Sequence, residues 1–148
     1  MRFGFSGSRS LPASFSALVS SVVSGLPAGA PAGVGDARGA DELVRAACPA
    51  AVVFSPSFAG RGGFAARSAA LVRWVAAGGA GSCFFVFVSS PCPPEVRPSR
   101  SFRGCGSGSW GSAALAFGLG LPVRVFWCGP GPAPAFPAWA ESFQENLL

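Results

Sequence analysis

The chain has 148 residues, enough for one domain with a core, and 50% of them are hydrophobic while 11% are charged. All eleven basic residues are arginine, and six acidic residues leave a formal net charge of +5. Lysine and histidine are absent, which excludes a P-loop lysine, a Schiff base, an imidazole base and histidine metal ligands. The five cysteines are widely spaced without a CxxC pair, so we expect no zinc site and a reducing, cytoplasmic setting. We also expect no other metal and no cofactor.

Hydrophobic periodicity, together with glycine and proline, predicts alternating strands and helices. In chain order we expect a strand at 2–6, a helix at 12–26, a strand at 32–34, a helix ended by Pro49, a strand at 51–54, a helix at 64–77, a strand at 82–88, a helix ending near Leu119 and a strand at 122–127. The uncharged run 74–94 contains glycines and ends in prolines, so we expect a helix end, a turn and a strand and no membrane contact.

This alternation predicts an α/β fold: a single Rossmann-like domain over residues 1–128, with a mostly parallel sheet of about five strands and helices on both faces. Residues 129–148 are expected to form a Pro-rich spacer and a short C-terminal helix or tail.

Polar turns that contain glycine follow the first two strands. The first contains Gly7, Ser8 and Arg9, and the second contains Gly35, Asp36, Arg38, Gly39 and Asp41. Ligands of parallel sheets bind at the carboxyl ends of the strands, so we expect the two turns to meet at one site. An alternative interpretation pairs Arg38 with Asp36 or Asp41 in a structural salt bridge.

A third segment, GCGSGSWGSAALA at 104–116, joins a Gly/Ser loop to a helix of small residues. Backbone N–H groups of such a loop, with the helix N-terminus, can bind a phosphate. The candidate residues are Gly106, Ser107, Gly108, Ser109, Gly111 and Ser112. Alternatively, the segment binds no phosphate, and its glycines serve only to let the helix pack closely on the sheet after a tight turn. We interpret Trp110 as a core residue rather than a stacking platform for a base.

The motifs GSR, GDARGAD, FAARSAALV and GSGSWGSAALAFGLGLPVRVF together resemble the SLOG superfamily, across residues 2–127. This superfamily groups DNA-processing protein A recombination mediators with Lonely Guy phosphoribohydrolases and stand-alone nucleotide binders. The resemblance implies a nucleotide or nucleotide-like ligand, frequent self-association, and an arginine, Arg67, near the ligand phosphate. An alternative for Arg67 is a solvated position on the helix face.

Lonely Guy enzymes carry a glutamate after the glycine-rich motif, and this chain has alanines there, near Ala114 and Ala116. We therefore expect a binding or sensor protein without catalysis. One alternative is a phosphoribohydrolase or nucleotidase that uses Asp36, Asp41 or Glu42 as acid or base. Others are a degenerate SLOG fold that serves as a self-assembling structural subunit, and a protein that binds single-stranded nucleic acid.

We predict that the protein is a homo-oligomer, because half of its residues are hydrophobic and few are charged. Light scattering at micromolar concentration is expected to give a mass above the 14.8 kDa of one chain. A monomeric mass would contradict the prediction and remove the assembly hypothesis.

Overall fold

The computed structural model describes residues 1–102 and 108–145, the last five of these by backbone alone. The strands are β1 (Phe3–Gly7), β2 (Ala32–Gly35), β3 (Val52–Phe54), β4 (Cys83–Val88), β5 (Val123–Trp127) and β6 (Gln144–Glu145). The helices are α1 (Ser16–Ser24), α2 (Ala40–Ala47), α3 (Arg61–Ala76) and α4 (Gly108–Gly118). Short 3-10 helices cover Ala13–Phe15 and Ala138–Phe143.

The strands form one parallel sheet in the order β3-β2-β1-β4-β5-β6. The predicted α/β domain with a parallel sheet is therefore confirmed. Strand order reverses at β1, which pairs with β2 on one side and with β4 on the other. In open parallel sheets such a reversal opens a crevice at the carboxyl ends of the strands.

Helices cover both faces of the sheet, with α1 and α2 on one face and α3 and α4 on the other. Successive strand side chains alternate between the faces, so β4 sends Phe85 and Phe87 toward α1 and α2 and Phe84 and Val86 toward α3 and α4. Burial on both faces explains why CFFVFV is apolar throughout.

Helix α3 lies close to the sheet because β1 and β2 carry glycines beneath it. A Cβ atom at Gly4 would lie 2.5 Å from Val75 Cγ2, and one at Gly33 would lie 2.8 Å from Trp74 Cζ3. The close approach fixes α3 against the two strands that precede the polar turns.

Helix α3 begins at Arg61, three residues before the predicted start at Phe64. Gly62 and Gly63 weaken the helical signal in the sequence. Gly63 is required by packing, because a Cβ atom there would overlap the carbonyl oxygen of Phe58. The earlier start brings Arg61 onto the helix.

The segment after residue 128 packs onto the same core as the rest of the domain. Phe136 and Ala140 are buried beside Trp110, and β6 extends the sheet next to β5. The short helix expected in the tail is a 3-10 helix followed by a two-residue strand, and residues 146–148 lie outside the described residues. No helix in the described part of the chain has the length and apolarity needed to cross a membrane.

We predict that Gly4→Ala lowers the free energy of unfolding by about 1–3 kcal/mol, because the added methyl overlaps Val75 and Phe84 in the core. The matched control is Gly25→Ala, where a Cβ atom would lie no closer than 3.5 Å to any contact and the backbone is α-helical. The control is expected to change the free energy of unfolding by less than about 0.5 kcal/mol in urea titrations. Equal effects of the two substitutions would contradict the close packing of α3 on β1.

Candidate functional site

A cleft of about 560 Å³ lies at the carboxyl ends of β1 and β4, where the strand order reverses. The turns after these strands, the N-terminal half of α3 and the start of α4 all contribute to its lining. Its volume is within the range of small-molecule sites. A second hollow, of about 440 Å³, lies between residues 92–97 and 135–139 and contains none of the predicted site residues.

The turn after β1 lines the cleft with Gly7, Ser8, Arg9 and Ser10. Three hydroxyl groups form a triangle there: Ser89 donates to Ser8 at 2.5 Å, Ser8 and Ser10 are 2.9 Å apart, and Ser10 and Ser89 are 3.4 Å apart. Ser89 directly follows β4. The triangle therefore joins the two strands at the point of reversal, and its hydroxyls can donate hydrogen bonds to an anion.

The turn after β2 is docked against the turn after β1. The Ala40 N–H donates to the Ser8 carbonyl at 3.0 Å. Gly39 has φ +75°, and a Cβ atom there would overlap the carbonyl oxygens of Ser8 and Arg9. Glycine at position 39 thus serves both the backbone conformation and the close approach of the two turns.

Asp41, in the first turn of α2, lines the cleft and is only 5% exposed. Its Oδ2 accepts a hydrogen bond from the Ala37 N–H at 3.2 Å. Burial raises the pKa of Asp41 to about 6, although the positive charges of Arg67 and Arg45 and the hydrogen bond from Ala37 act in the opposite direction. Asp41 is therefore a carboxyl group that changes charge in the mildly acidic range.

Arg67 lies where α3 faces the turn after β2, and its side chain is 9% exposed. Its Nη1 donates to Asp36 Oδ1 at 2.5 Å in an ion pair. The alternative of a solvated Arg67 is wrong, because the side chain is largely buried and lines the cleft. In the described residues Asp36 pairs with Arg67 rather than with Arg38, whose side chain is exposed and away from the cleft lining.

Two further residues shape this turn. A Cβ atom at Gly35 would overlap Asp41 Oδ2 and lie 3.3 Å from Arg67 Cζ, so glycine leaves space for both charged groups. Arg45 Nη1 donates to the carbonyl oxygens of Gly35 and Ala37, each at 2.9 Å. Arg45 thus stabilises the turn after β2 from helix α2, and the sequence pattern did not identify it.

Among the described residues, three arginines line the cleft: Arg9, Arg61 and Arg67. The Arg9 Cζ lies 4.4 Å from the centre of the Phe64 ring, and the Arg67 Cζ lies 5.7 Å from it. Phe64 thus supports two guanidinium groups through cation–π contacts. Arg61 was missed as a site residue, because the sequence places it in a loop before α3.

Only the first residues of α4 reach the cleft. Gly108 and Ser109 line it, whereas Gly111 packs against the Phe102 ring and the Ser112 hydroxyl donates to the Gly108 carbonyl at 2.8 Å. Gly111 and Ser112 therefore serve the packing and the helix, as in the alternative interpretation of this loop. Gly106 and Ser107 lie outside the described residues.

Trp110 is a core residue, as the sequence indicated. It is 1% exposed, its Nε1 donates to the Ser90 carbonyl at 2.8 Å, and its ring makes an edge contact with Phe136. Ser89, Ser90 and Phe102 were also missed as lining residues. Ser89 could have been found by applying the carboxyl-end rule to the fourth strand as well as to the first two.

Of the three carboxylates considered as acid or base, Asp41 alone lines the cleft. Asp36 is held in its ion pair with Arg67, and Glu42 is exposed. Across residues 1–102 and 108–145, no three cysteine, aspartate or glutamate side chains come together in a way that could hold a metal ion.

Comparisons of the chain with protein-family models, with curated proteins and with solved structures give no match. Function is therefore inferred from the residues of the cleft.

We predict that Asp41 lowers stability as it ionises. Its pKa of about 6 in the folded protein exceeds its ordinary value of 3.8, so the folded state holds the proton more tightly and loses stability as pH rises from about 4 to 7. Asp41→Asn removes this loss. The free energy of unfolding of the variant, relative to wild type, is expected to rise by about 2–3 kcal/mol over that range.

Urea titrations at several pH values test this prediction. Glu42→Gln, which removes the neighbouring exposed carboxylate, is the control and is expected to keep the pH dependence of the wild type. A difference between Asp41→Asn and wild type that does not change with pH would contradict the assignment.

Proposed function

We propose that the protein binds a nucleotide or nucleotide-derived ligand in this cleft and acts as a non-catalytic, homo-oligomeric binding or sensor protein. The observation that carries the proposal is that residues from distant parts of the chain line the same cleft. Arg67, the turn after β1 and the start of α4 are far apart in the chain, yet all line one cleft at the reversal of strand order. The resemblance to the SLOG superfamily points to the same class of ligand.

Arg67 supplies the main charge for the phosphate. Its ion pair with Asp36 engages one nitrogen, and a guanidinium group has five N–H donors in a planar fork that suits phosphate oxygens. The buried side chain is already ordered before a ligand arrives, which reduces the entropy lost on binding.

The hydroxyl triangle and the start of α4 supply uncharged donors. The first N–H groups of a helix have no partner within the helix, and its N-terminus carries partial positive charge. A Cβ atom at Gly108 would meet no described atom within 4 Å, so the backbone there is open to close approach. A phosphate at this position would receive hydrogen bonds from backbone and serine donors while Arg67 balances its charge.

The base has apolar surface available beside these polar groups. Phe102 and Phe64 line the cleft with half-buried or exposed rings, whereas Trp110 is too deeply buried for a base to stack on it. Phe64 already contacts two arginines, which leaves Phe102 as the main aromatic surface for a base.

The homo-oligomer in this proposal is supported by apolar surface on the edge strand of the sheet. Val52 and Val53 of β3 are 46% and 47% exposed, and among the described strands β3 pairs with β2 alone. A structural subunit that assembles without a ligand would use the same surface, and ligand binding distinguishes the two functions.

A second candidate is a phosphoribohydrolase or nucleotidase with Asp41 as general acid. One observation favours it: Asp41 lines the cleft, and its pKa of about 6 suits proton transfer near neutral pH. Release of base or phosphate from nucleoside monophosphates at about 1 per second or faster, lost in Asp41→Asn, would establish the enzyme. We expect no such release, because the glutamate of Lonely Guy enzymes is missing.

We predict that Arg67→Ala weakens the binding of adenosine monophosphate by about 1.5–3 kcal/mol, since it removes a charged hydrogen-bond donor. Arg67→Lys is expected to restore only part of the affinity, because a point charge cannot form the guanidinium fork. Arg73→Ala, on the exposed side of the same helix and away from the cleft, is the control and should bind as wild type does. Calorimetry with folded variants is the measurement.

We further predict that Gly108→Val abolishes binding of the same nucleotide while the protein stays folded, because a Cβ atom there meets no described atom within 4 Å and the new side chain blocks close approach of the ligand. Gly111→Ala is the comparison and is expected to lower stability instead, because its methyl overlaps Phe102. If the wild type binds no mononucleotide, or if Arg67→Ala binds as well as wild type, the proposed function is wrong.

A further inference from the structure

Asp41 is a buried carboxyl group in a cleft whose other described polar side chains are cations and hydroxyls. It is 5% exposed and lines the cleft together with Arg67 and Ser8. Its described hydrogen bond comes from the Ala37 N–H, at 3.2 Å. A buried carboxylate is costly in its charged form, and it repels any anion that enters the same space.

Two arginines act on Asp41 by charge while their described hydrogen bonds go to other groups. Arg67 Nη1 donates to Asp36 Oδ1 at 2.5 Å, and Arg45 Nη1 donates to two backbone carbonyl oxygens of the turn after β2. Asp36 adds a second negative charge in this turn, which opposes the ionisation of Asp41. Burial remains the largest influence and raises the pKa of Asp41 to about 6.

The remaining ionisable groups around Asp41 are arginines, which stay charged, and one exposed carboxylate. Arg9 lines the cleft from the turn after β1, Arg61 lines it from the start of α3, and Glu42 is exposed on α2. β1, β2 and α1 also pack on α2, and none of these three elements carries an ionisable side chain. The chain contains no histidine. In the described lining of the cleft, Asp41 is therefore the side chain that changes charge between about pH 5 and pH 8.

An anion bound at Arg67 would lie next to Asp41. A Cβ atom at Gly35 would overlap Asp41 Oδ2 and lie 3.3 Å from Arg67 Cζ, so the carboxyl and guanidinium groups are close neighbours. A phosphate at Arg67 thus adds negative charge beside a buried carboxyl group. A like charge within about 6 Å disfavours the ionised form of a carboxyl group, so the bound phosphate favours protonation of Asp41.

We propose that anion binding in the cleft is coupled to the uptake of one proton by Asp41, so that the protein binds its phosphate ligand with Asp41 neutral and releases it as Asp41 ionises. This inference rests on the phosphate site of the proposed function and describes how that site is regulated. The proton comes from solvent and returns to it when the anion leaves. In the bound state the neutral carboxyl group no longer repels the ligand, and its O–H group can donate a hydrogen bond.

The test is calorimetry with inorganic sulfate at about pH 5 and about pH 8, at constant ionic strength. Sulfate remains a dianion throughout this range, so a pH dependence of its affinity comes from the protein. Wild-type affinity is expected to fall about tenfold from the lower to the higher pH, as for a carboxyl group whose pKa rises by about one unit on binding. Equal affinities at the two pH values, or no binding at either, would overturn the inference.

Asp41→Asn assigns the effect to Asp41, because the amide is neutral at both pH values. The variant is expected to bind sulfate within about twofold of wild type at the lower pH and about tenfold more tightly than wild type at the higher pH. Damage to the fold would weaken binding, so a gain of affinity separates loss of the charge from a structural effect. Glu42→Gln, the matched control on the exposed side of α2, is expected to keep the pH dependence of the wild type. The same pH dependence in Asp41→Asn would overturn the assignment.

A second measurement needs wild-type protein only. Calorimetry at about pH 6.5 in two buffers that differ in ionisation enthalpy gives the number of protons taken up with sulfate, and about half a proton per bound anion is expected. Sulfate binding without proton uptake would contradict the inference.

Adenosine monophosphate in the same experiments separates this inference from the proposed function. If the nucleotide binds but sulfate shows no proton linkage, the inference is wrong and the proposed function stands. If sulfate shows the linkage but the nucleotide does not bind, the coupling to Asp41 is supported and the proposed nucleotide ligand is wrong. If neither binds, both are wrong.

Discussion

The architecture of the cleft depends on the buried guanidinium of Arg67, held by Asp36 and facing Asp41. This contact ties α3, on one face of the sheet, to the turn that leads from β2 into α2 on the other face. Gly35 leaves space for Arg67 and Asp41 beside this pair, since a Cβ atom there would overlap the Asp41 carboxylate and lie 3.3 Å from Arg67 Cζ. Arg45 supports the same turn from α2 through two carbonyl oxygens. Arg67 is thereby held in place before any ligand binds.

The second constraint links this turn to the centre of the sheet. Gly39 approaches the backbone of Ser8 and Arg9, and the Ser8 hydroxyl contacts Ser89 after β4. Close backbone packing thus brings the turns together, and side-chain contacts then hold Arg67 and the serine hydroxyls around one space. Burial of Asp41 in the same space disfavours its ionised form. Strongly shifted groups in clefts are typical of functional sites, although ion-pair networks shift them as well.

Sequence reasoning predicted the parallel α/β domain and the meeting of the GSR and GDARGAD turns, because strand alternation and polar turns are local signals. It missed Ser89, because it considered the carboxyl ends of the first two strands and not that of β4, which lies next to β1 in the sheet. It missed Arg61, because Gly62 and Gly63 weaken the helical signal of the first turn of α3 and Arg61 was therefore predicted to lie in a loop. It also predicted Gly111 and Ser112 as ligand-binding residues. Instead, Gly111 packs against the Phe102 ring, and the Ser112 hydroxyl donates to the Gly108 carbonyl.

The central claim is that the cleft holds a phosphate between Arg67 and the serine hydroxyls, and a crystal structure of the protein soaked with a nucleotide tests it most directly. The account predicts phosphate density within about 3 Å of the Arg67 guanidinium and of the Ser8 or Ser109 hydroxyl, with the base near Phe102. Nucleotide density elsewhere, with the cleft unoccupied and the Arg67–Asp36 pair unchanged, would contradict it.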